Sequence, residues 1–501
     1  MTPSGGTNDR DDFSVDIPMA KSIFPFHIFG RNGKTYFLNL DRLIAAEVSA
    51  STAAALDHLS QTPGAPLSPS VRSELKDLGF PENEPDQRAL KDIELEKDAA
   101  VSAMSLLVTE HCNLRCTYCF GSRGENEMTE STALLAVDWL IGQSKQGSDL
   151  SICFFGGEPV LNFSLIKRVV TYARRKGEEV GKRFSFSITT NAILLDDNQI
   201  AFLREHNFFV LVSLDGPLEI QDRNRPCQGG VGSYLATVPR IKRLLEVMEG
   251  DHISCRATFC GRTEVENVYA ALRGLGFPTV DIKPVSPPLP APGAARYRET
   301  VRQLRKSEEY RQQLIRHFEQ DAVRFRRAVK EKDRGAFTPM QVYGKLLRRL
   351  TAHKKIIFPC SAGREAIGVS TDGTCYPCHR FLGVSDYRIG RIDSRGLARE
   401  EYLETPMRNR EPCYSCWALA ICAGGCYYDN LAMTGDRFTP SRSFCEDLKL
   451  LIEMAIELYC GLEQVDRDWL MEETQRLQQK SHPAHGSFFA VFQRELGDLL
   501  K

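Results

Sequence analysis

Apolar and polar runs alternate most regularly between residues 104 and 285. The apolar runs MSLLVTE, LSICFFG, FSFSITT, FFVLVSL, ISCRATF and VDIKPVS are short, rich in β-branched and aromatic residues, and read as strands. Between most of them lie STALLAVDWLIGQS, FSLIKRVVTYARRKG and YLATVPRIKRLLEVME, whose apolar positions recur at helical spacing. Strand–helix alternation implies right-handed crossovers and a parallel sheet. Six strands are too few to close an eight-stranded barrel, so a partial (β/α)6 barrel or an open doubly wound sheet is expected.

The flanks follow other patterns. Residues 1–17 are rich in Gly, Ser, Asp and Asn and read as a disordered tail. IFPFHIF and KTYFLNL, separated by the turn signal GRNG, read as a hairpin, and ASTAAALDHLS and LSPSVRSELKDLGF as helices. They make up a small α+β module over 18–95, with a linker at PENEPDQ (81–87). The barrel is expected over 100–290. Residues 291–355 carry 18 Lys and Arg against 7 Asp and Glu, which reads as a solvated basic helical linker or as a surface for an acidic partner or peptide. A cysteine-rich segment follows over 356–455, and helices over 456–501.

The chain has 501 residues, a net charge of −1, 42% hydrophobic and 26% charged residues. That balance is ordinary for a globular protein and gives no global attraction to nucleic acid or membrane. No apolar run approaches the ~20 residues that span a bilayer. The first residues lack the basic start and apolar stretch of a secretory signal, so a cytoplasmic location is expected.

In a reducing compartment sixteen cysteines point to metal or catalytic use rather than to disulfides. Residues 1–111 contain none, three fall within 112–119, and eight lie between 360 and 445. Cys112, Cys116 and Cys119 form a C-x3-C-x2-C set directly after the first barrel strand, with Tyr118 before the third thiol. Three thiolates on a [4Fe–4S] cluster leave one iron open to an external ligand. A zinc ion with a distant fourth ligand is the competing reading. Cys153 and Cys255 lie in apolar strands and are expected in the core.

On this motif the sequence resembles the radical S-adenosylmethionine (SAM) superfamily, in which the open iron binds SAM and one electron cleaves it to a 5′-deoxyadenosyl radical. Further motifs match at successive strand ends. Gly156-Gly157-Glu158-Pro159 resembles the family's GGE motif, which receives the SAM amino group. Thr189-Thr190-Asn191 and Ser213-Leu214-Asp215-Gly216-Pro217 follow, Ser213 resembling a SAM contact. In Asp222-Arg223-Asn224-Arg225, Arg225 aligns with an Arg that meets the SAM carboxylate. The resemblance implies a SAM site of Tyr118, Gly156, Gly157, Glu158, Asn191, Ser213 and Arg225. No catalytic acid, base or nucleophile is singled out.

The second cysteine field reads Cys360, then Gly373-x4-Cys378, then Cys413-x2-Cys416-x5-Cys422-x3-Cys426, then Cys445. It resembles the SPASM domain, a C-terminal extension of radical SAM peptide and protein maturases. The resemblance implies two auxiliary [4Fe–4S] clusters, one on Cys360, Cys378 and Cys426, the other on Cys413, Cys416, Cys422 and Cys445. Structural zinc is again the alternative. The first set lacks a fourth cysteine, unless Cys375 supplies it rather than packing as a small apolar residue.

Among such enzymes the phrases FFGGEPVLNF, YPCH-R-F and CWALAICAGGC look most like thioether-forming (SCIFF/ranthipeptide-type) peptide maturases. Sulfatase maturases, which make formylglycine, carry YPCD where this chain has Tyr376-Pro377-Cys378-His379. Carbon–carbon (cyclophane) crosslinking stays open. The resemblance implies a precursor peptide or protein as substrate, a flavodoxin or ferredoxin as electron donor, and an N-terminal module that resembles leader-peptide recognition domains. An iron–sulfur electron carrier or scaffold and a zinc-binding peptide chaperone are the non-enzyme alternatives.

Overall fold

A computed structural model describes residues 26–62, 64–80, 99–121, 124–260, 265–289, 295–334, 342–394, 396–403 and 410–480. The expected tail at 1–17 and linker at 81–87 lie outside them.

The first three strands, β1 (Phe26–Arg31), β2 (Lys34–Asn39) and β3 (Ile44–Val48), form an antiparallel sheet in the order β1-β2-β3. The β1–β2 turn is Asn32-Gly33, both at positive φ, as a tight hairpin requires. β3 is absent from the sequence reading: IAAEV is made of helix formers as much as strand formers, and its pairing with β2 decides its state. Two helices, Ala50–Gln61 and Pro69–Asp77, follow, each capped by a serine hydroxyl, Ser49 and Ser68, that accepts a backbone N–H.

A nine-stranded sheet makes up the rest of the framework. Its strands are β4 (Ala103–Thr109), β5 (Leu150–Gly156), β6 (Phe184–Thr190), β7 (Phe209–Ser213), β8 (Ile253–Phe259), β9 (Val280–Pro284), β10 (Ala366–Val369), β11 (Thr374–Tyr376) and β12 (Gly390–Arg391). The order is β12-β11-β10-β4-β5-β6-β7-β8-β9. From β4 to β9 neighbours are parallel and sequential, the arrangement that strand–helix alternation implies. β10 adds to β4 in parallel, and β11 and β12 extend it antiparallel. The sheet thus runs on into the cysteine-rich segment.

Residue parity sorts the two faces of this sheet. Met104, Leu106, Ile152, Phe154, Phe186, Ile188, Val210 and Val212 are fully or almost fully buried in the main apolar core. Their alternates, among them Ser105, Cys153, Phe155, Ser187, Thr189, Leu211 and Ser213, line one cavity of about 230 Å³. Thr258 on β8 lines it too. Strands spaced about 4.8 Å apart would hold β4 and β8 roughly 19 Å from each other in a flat sheet. Sharing one small cavity therefore requires the sheet to curl around it.

The basic segment is packed rather than fully solvated. In Glu308–Lys330, Tyr310, Phe318, Phe325 and Val329 are buried, and Arg324 bridges Glu266 at 2.5 Å and Asp321 at 3.3 Å. A second core joins this helix to β2, β3 and Arg442–Cys460. Arg31 meets Glu457 at 2.6 Å, His27 meets Glu453 at 3.0 Å, and the His27 ring stacks on Trp417 at 3.7 Å. These contacts fasten the N-terminal sheet beside Cys416. No helix among the described residues is long and apolar enough to cross a membrane.

Candidate active site and iron–sulfur ligands

The curled sheet carries its chemistry at the C-terminal ends of its parallel strands. The β4–Cys119 loop, the β5 end, the β6 end and the β7 end all meet at the cavity. Its lining includes Cys112, Cys116, Tyr118, Cys119, Gly156, Gly157, Glu158, Asn191, Ser213 and Arg225. Every residue expected at the SAM site and all three thiols of the first motif are therefore together.

Two glycines let the β5 end close on the cysteine loop. A Cβ on Gly156 would sit 2.5 Å from the Thr109 carbonyl oxygen, and one on Gly157 would sit 2.2 Å from that of His111. The Glu158 amide donates to the same His111 oxygen at 2.8 Å. A methyl group there must push His111, and with it Cys112, out of place. Gly157→Ala is expected to weaken SAM binding by about five- to 150-fold, the consequence of overpacking by roughly 1–3 kcal/mol. Calorimetric titration of the reconstituted protein checks this, and affinity within twofold of wild type contradicts it.

Glu158 is buried, and its carboxylate accepts from Val160 N at 3.2 Å, Thr190 Oγ1 at 2.7 Å and Asn191 N at 2.7 Å. Burial pushes its pKa up to about 7, and the three donors oppose that rise. A cation seated against it would lower it again. Arg225 lies on the other side. Its guanidinium stands over the Tyr118 ring at 5.3 Å, and its Nε is 3.0 Å from Asp215 Oδ1, at ion-pair distance but not aligned as a hydrogen bond.

Asp215 is the hub of this wall. It is buried, and it accepts from the Tyr118 hydroxyl at 2.6 Å, Asn224 Nδ2 at 3.2 Å and the Thr258 amide at 2.9 Å. It thereby ties the residue before Cys119 to β8 and to Arg225. The sequence marks Ser213 in this phrase, and the structure adds the aspartate. An acid two residues beyond a strand end and ten before an arginine is the sequence signal that points to it.

Burial pushes the Cys112 thiol up to about 12 and raises Cys116, while Arg225 pulls Cys116 back. Cys112 also senses the charge of Cys116 and Cys119. Cys119 is the exposed member. Cys153 departs from expectation: it lines the cavity, half-buried, instead of lying in the core. Its strand alternates sides, and position 153 shares the inward face of Phe155. Cys255 is buried in the core as expected.

The second cysteine field gathers into two groups. Cys413 senses Cys422, Cys445 and Cys416, and Cys422 senses Cys445 and Cys416. Cys378 senses Cys426, while Tyr427 senses both Cys360 and Cys426. Cys375 is fully buried, and its thiol points to the Gly373 carbonyl at 3.9 Å. Among the described residues no three His, Cys, Asp or Glu side chains are gathered as tightly as a single ion would hold them.

His379, next to Cys378, reaches the SAM-side cavity. Its ring lies 5.0 Å from Phe155 and 6.3 Å from Phe120, and burial drives its pKa down to about 3. The floor of the cavity is therefore aromatic, with an uncharged imidazole.

Residues 106–280 match the radical SAM superfamily model. Protein MJ0907 of Methanocaldococcus jannaschii is 37% identical over 134 residues, which are 26% of this chain and 45% of that protein. This chain therefore spans less than half of that relative. The cysteine-type anaerobic sulfatase-maturating enzyme of Clostridium perfringens (strain 13) is 25% identical over 346 residues, covering 64% of this chain and 88% of that enzyme. The solved structure of native anSMEcpe with bound AdoMet and Cp18Cys peptide has a TM-score of 0.58 at 20% identity, covering 72% of this chain and 97% of that one. It shares the fold.

Proposed function

We propose, from the premise that residues 106–280 are a radical SAM domain, that the chain is an oxidoreductase that installs a thioether crosslink in a ribosomally made peptide. The observation that carries the radical chemistry is the single cavity that holds three thiols, a buried Glu158 and the Arg225–Asp215 pair. Cys112, Cys116 and Cys119 would hold a [4Fe–4S] cluster; the auxiliary clusters would sit on Cys360, Cys378 and Cys426 and on Cys413, Cys416, Cys422 and Cys445. Reduced cluster and SAM, when bound, supply a carbon-centred radical that takes a hydrogen atom from substrate.

The chain's own residues do the rest. Glu158 offers an acceptor to the SAM amino group, and Arg225 offers a donor to its carboxylate. Asn191 Nδ2 is turned to Asn113 Oδ1 at 2.8 Å, which locks the loop between the two motifs. Phe120, Phe155, Phe209 and Leu211 exclude water, which protects a reactive carbon from side reactions. A flavodoxin or ferredoxin is the proposed reductant. The edge strands β1 and β3 are the proposed acceptors of a leader segment added as a further strand.

Formylglycine formation is the second reading, favoured by the similarity to sulfatase maturases. Against it stands His379, an uncharged imidazole where those enzymes carry an aspartate. Mass spectrometry of a co-expressed candidate peptide separates the two. A thioether costs the peptide two hydrogens and one alkylatable thiol. Formylglycine leaves an aldehyde that a hydrazide captures, and finding it would overturn the thioether reading. Cys413→Ala is expected to retain part of the SAM cleavage but give no modified peptide. Normal yield of modified peptide from that variant would remove the second auxiliary cluster from the reaction.

A further inference from the structure

One arginine lies against the first auxiliary thiol group. Arg380, two residues after Cys378, places Nη1 3.5 Å from Cys426 Sγ. The same Nη1 is 3.2 Å from Asp429 Oδ1. The guanidinium lies 4.0 Å from the Tyr428 ring centre and 5.5 Å from that of Phe120. Its side chain is only 15% exposed. Stacking on Tyr428 and pairing with Asp429 fix the group, so its N–H stays directed at the sulfur rather than at water.

We propose that Arg380 sets the reduction potential of the first auxiliary cluster through its hydrogen bond to Cys426, with Asp429 as the opposing charge. This rests on the reading of Cys360, Cys378 and Cys426 as cluster ligands. Hydrogen bonds to ligand sulfurs and nearby charge are among the main settings of cluster potential. Reduction adds one electron to a cluster already ringed by thiolates. A guanidinium on one sulfur stabilises the more negative, reduced form and raises the potential. Asp429 does the reverse. Removing either group should therefore move the potential in opposite directions, a pattern that a packing role for Arg380 does not produce. A raised potential suits a cluster that accepts an electron from a substrate radical.

The test is a redox titration followed by electron paramagnetic resonance. It uses the full chain with Cys112, Cys116 and Cys119 all changed to alanine, so that only auxiliary clusters report. Arg380→Gln is expected to lower one of the two potentials so that the oxidised-to-reduced ratio rises about tenfold at fixed potential, or about 59 mV for one electron. Asp429→Asn is expected to raise the same potential. Arg380→Lys, which keeps the charge, is expected to lie between Arg380→Gln and the parent, and it serves if the glutamine variant fails to fold. Potentials unchanged in Asp429→Asn and in either Arg380 variant, at full auxiliary iron content, would overturn the proposal. A parent protein without auxiliary iron would overturn the cluster reading itself, a result visible before any Arg380 variant is titrated.

Discussion

Changing Cys116 to alanine is expected to remove about four irons from a reconstituted chain holding about twelve, and to abolish reductive cleavage of SAM. Three thiols are the fewest that can hold a four-iron cluster while leaving one iron open. With two, the cluster loses its anchorage rather than a fraction of its activity. Arg225 also favours the thiolate form of Cys116, the form a cluster needs, and that pairing is lost with the thiol. Iron analysis and quantification of 5′-deoxyadenosine check both halves. Cys112→Ala and Cys119→Ala should behave alike, although Cys119 is exposed and Cys112 half-buried. A Cys116→Ala protein with full iron and undiminished cleavage would show that the site is not built on this motif.

The second large effect concerns the wall that holds the loop. Asp215→Ala would strand a buried guanidinium, a buried phenol hydroxyl and the Thr258 amide in one change. Breaking a buried charge pair by removing one partner costs about 3–5 kcal/mol. In a domain of this size that lowers the melting temperature by roughly 6–20 °C. Tyr118 is released together with its neighbour Cys119, so SAM binding should fall with stability. Asp215→Asn keeps one acceptor oxygen and loses the other together with the charge, and is expected to lose less. Thermal melts followed by circular dichroism decide the matter. An Asp215→Ala protein melting within a degree of wild type would show that the hub is not structural.

The six parallel strands were legible because each is a short apolar run bounded by a helix, and the four site motifs were legible because each ends such a run. Less could be read where pairing partners are distant. β3 is masked by its helix-forming alanines, and the strands β10–β12 are too short to declare themselves; β10 exists because Ala366–Val369 can pair with Ala103–Leu106, more than 250 residues earlier. Cys153 looks like core because its strand is apolar on both faces in the sequence. Its inward neighbours in the sheet, Ser105 and Ser187, break the apolar pattern on the same face, and that alternation marks a lumen. The basic segment was read by its charge, although Tyr310, Phe318 and Phe325 form a buried stripe along it. Asp215 was passed over because a lone aspartate in a strand-to-turn phrase looks solvated until its four partners are seen together.

The N-terminal sheet and the second cysteine group are mechanically linked. His27 stacks on Trp417, the residue after Cys416, and Arg31 pairs with Glu457 on the helix that carries Cys445. The small sheet therefore lies against the elements that carry Cys416 and Cys445. Beside Cys378 and Cys426, the His379 and Tyr428 rings meet Phe120 of the cavity lining. Sequence order alone hides both contacts, since they join segments more than 250 residues apart.

One experiment bears on the whole account: anaerobic reduction of the reconstituted wild-type protein with SAM, followed by chromatography for 5′-deoxyadenosine. The three-thiol site beside Glu158 and Arg225 predicts that the nucleoside accumulates and that methionine appears in equal amount. A protein that carries its full complement of iron and yields neither would contradict it.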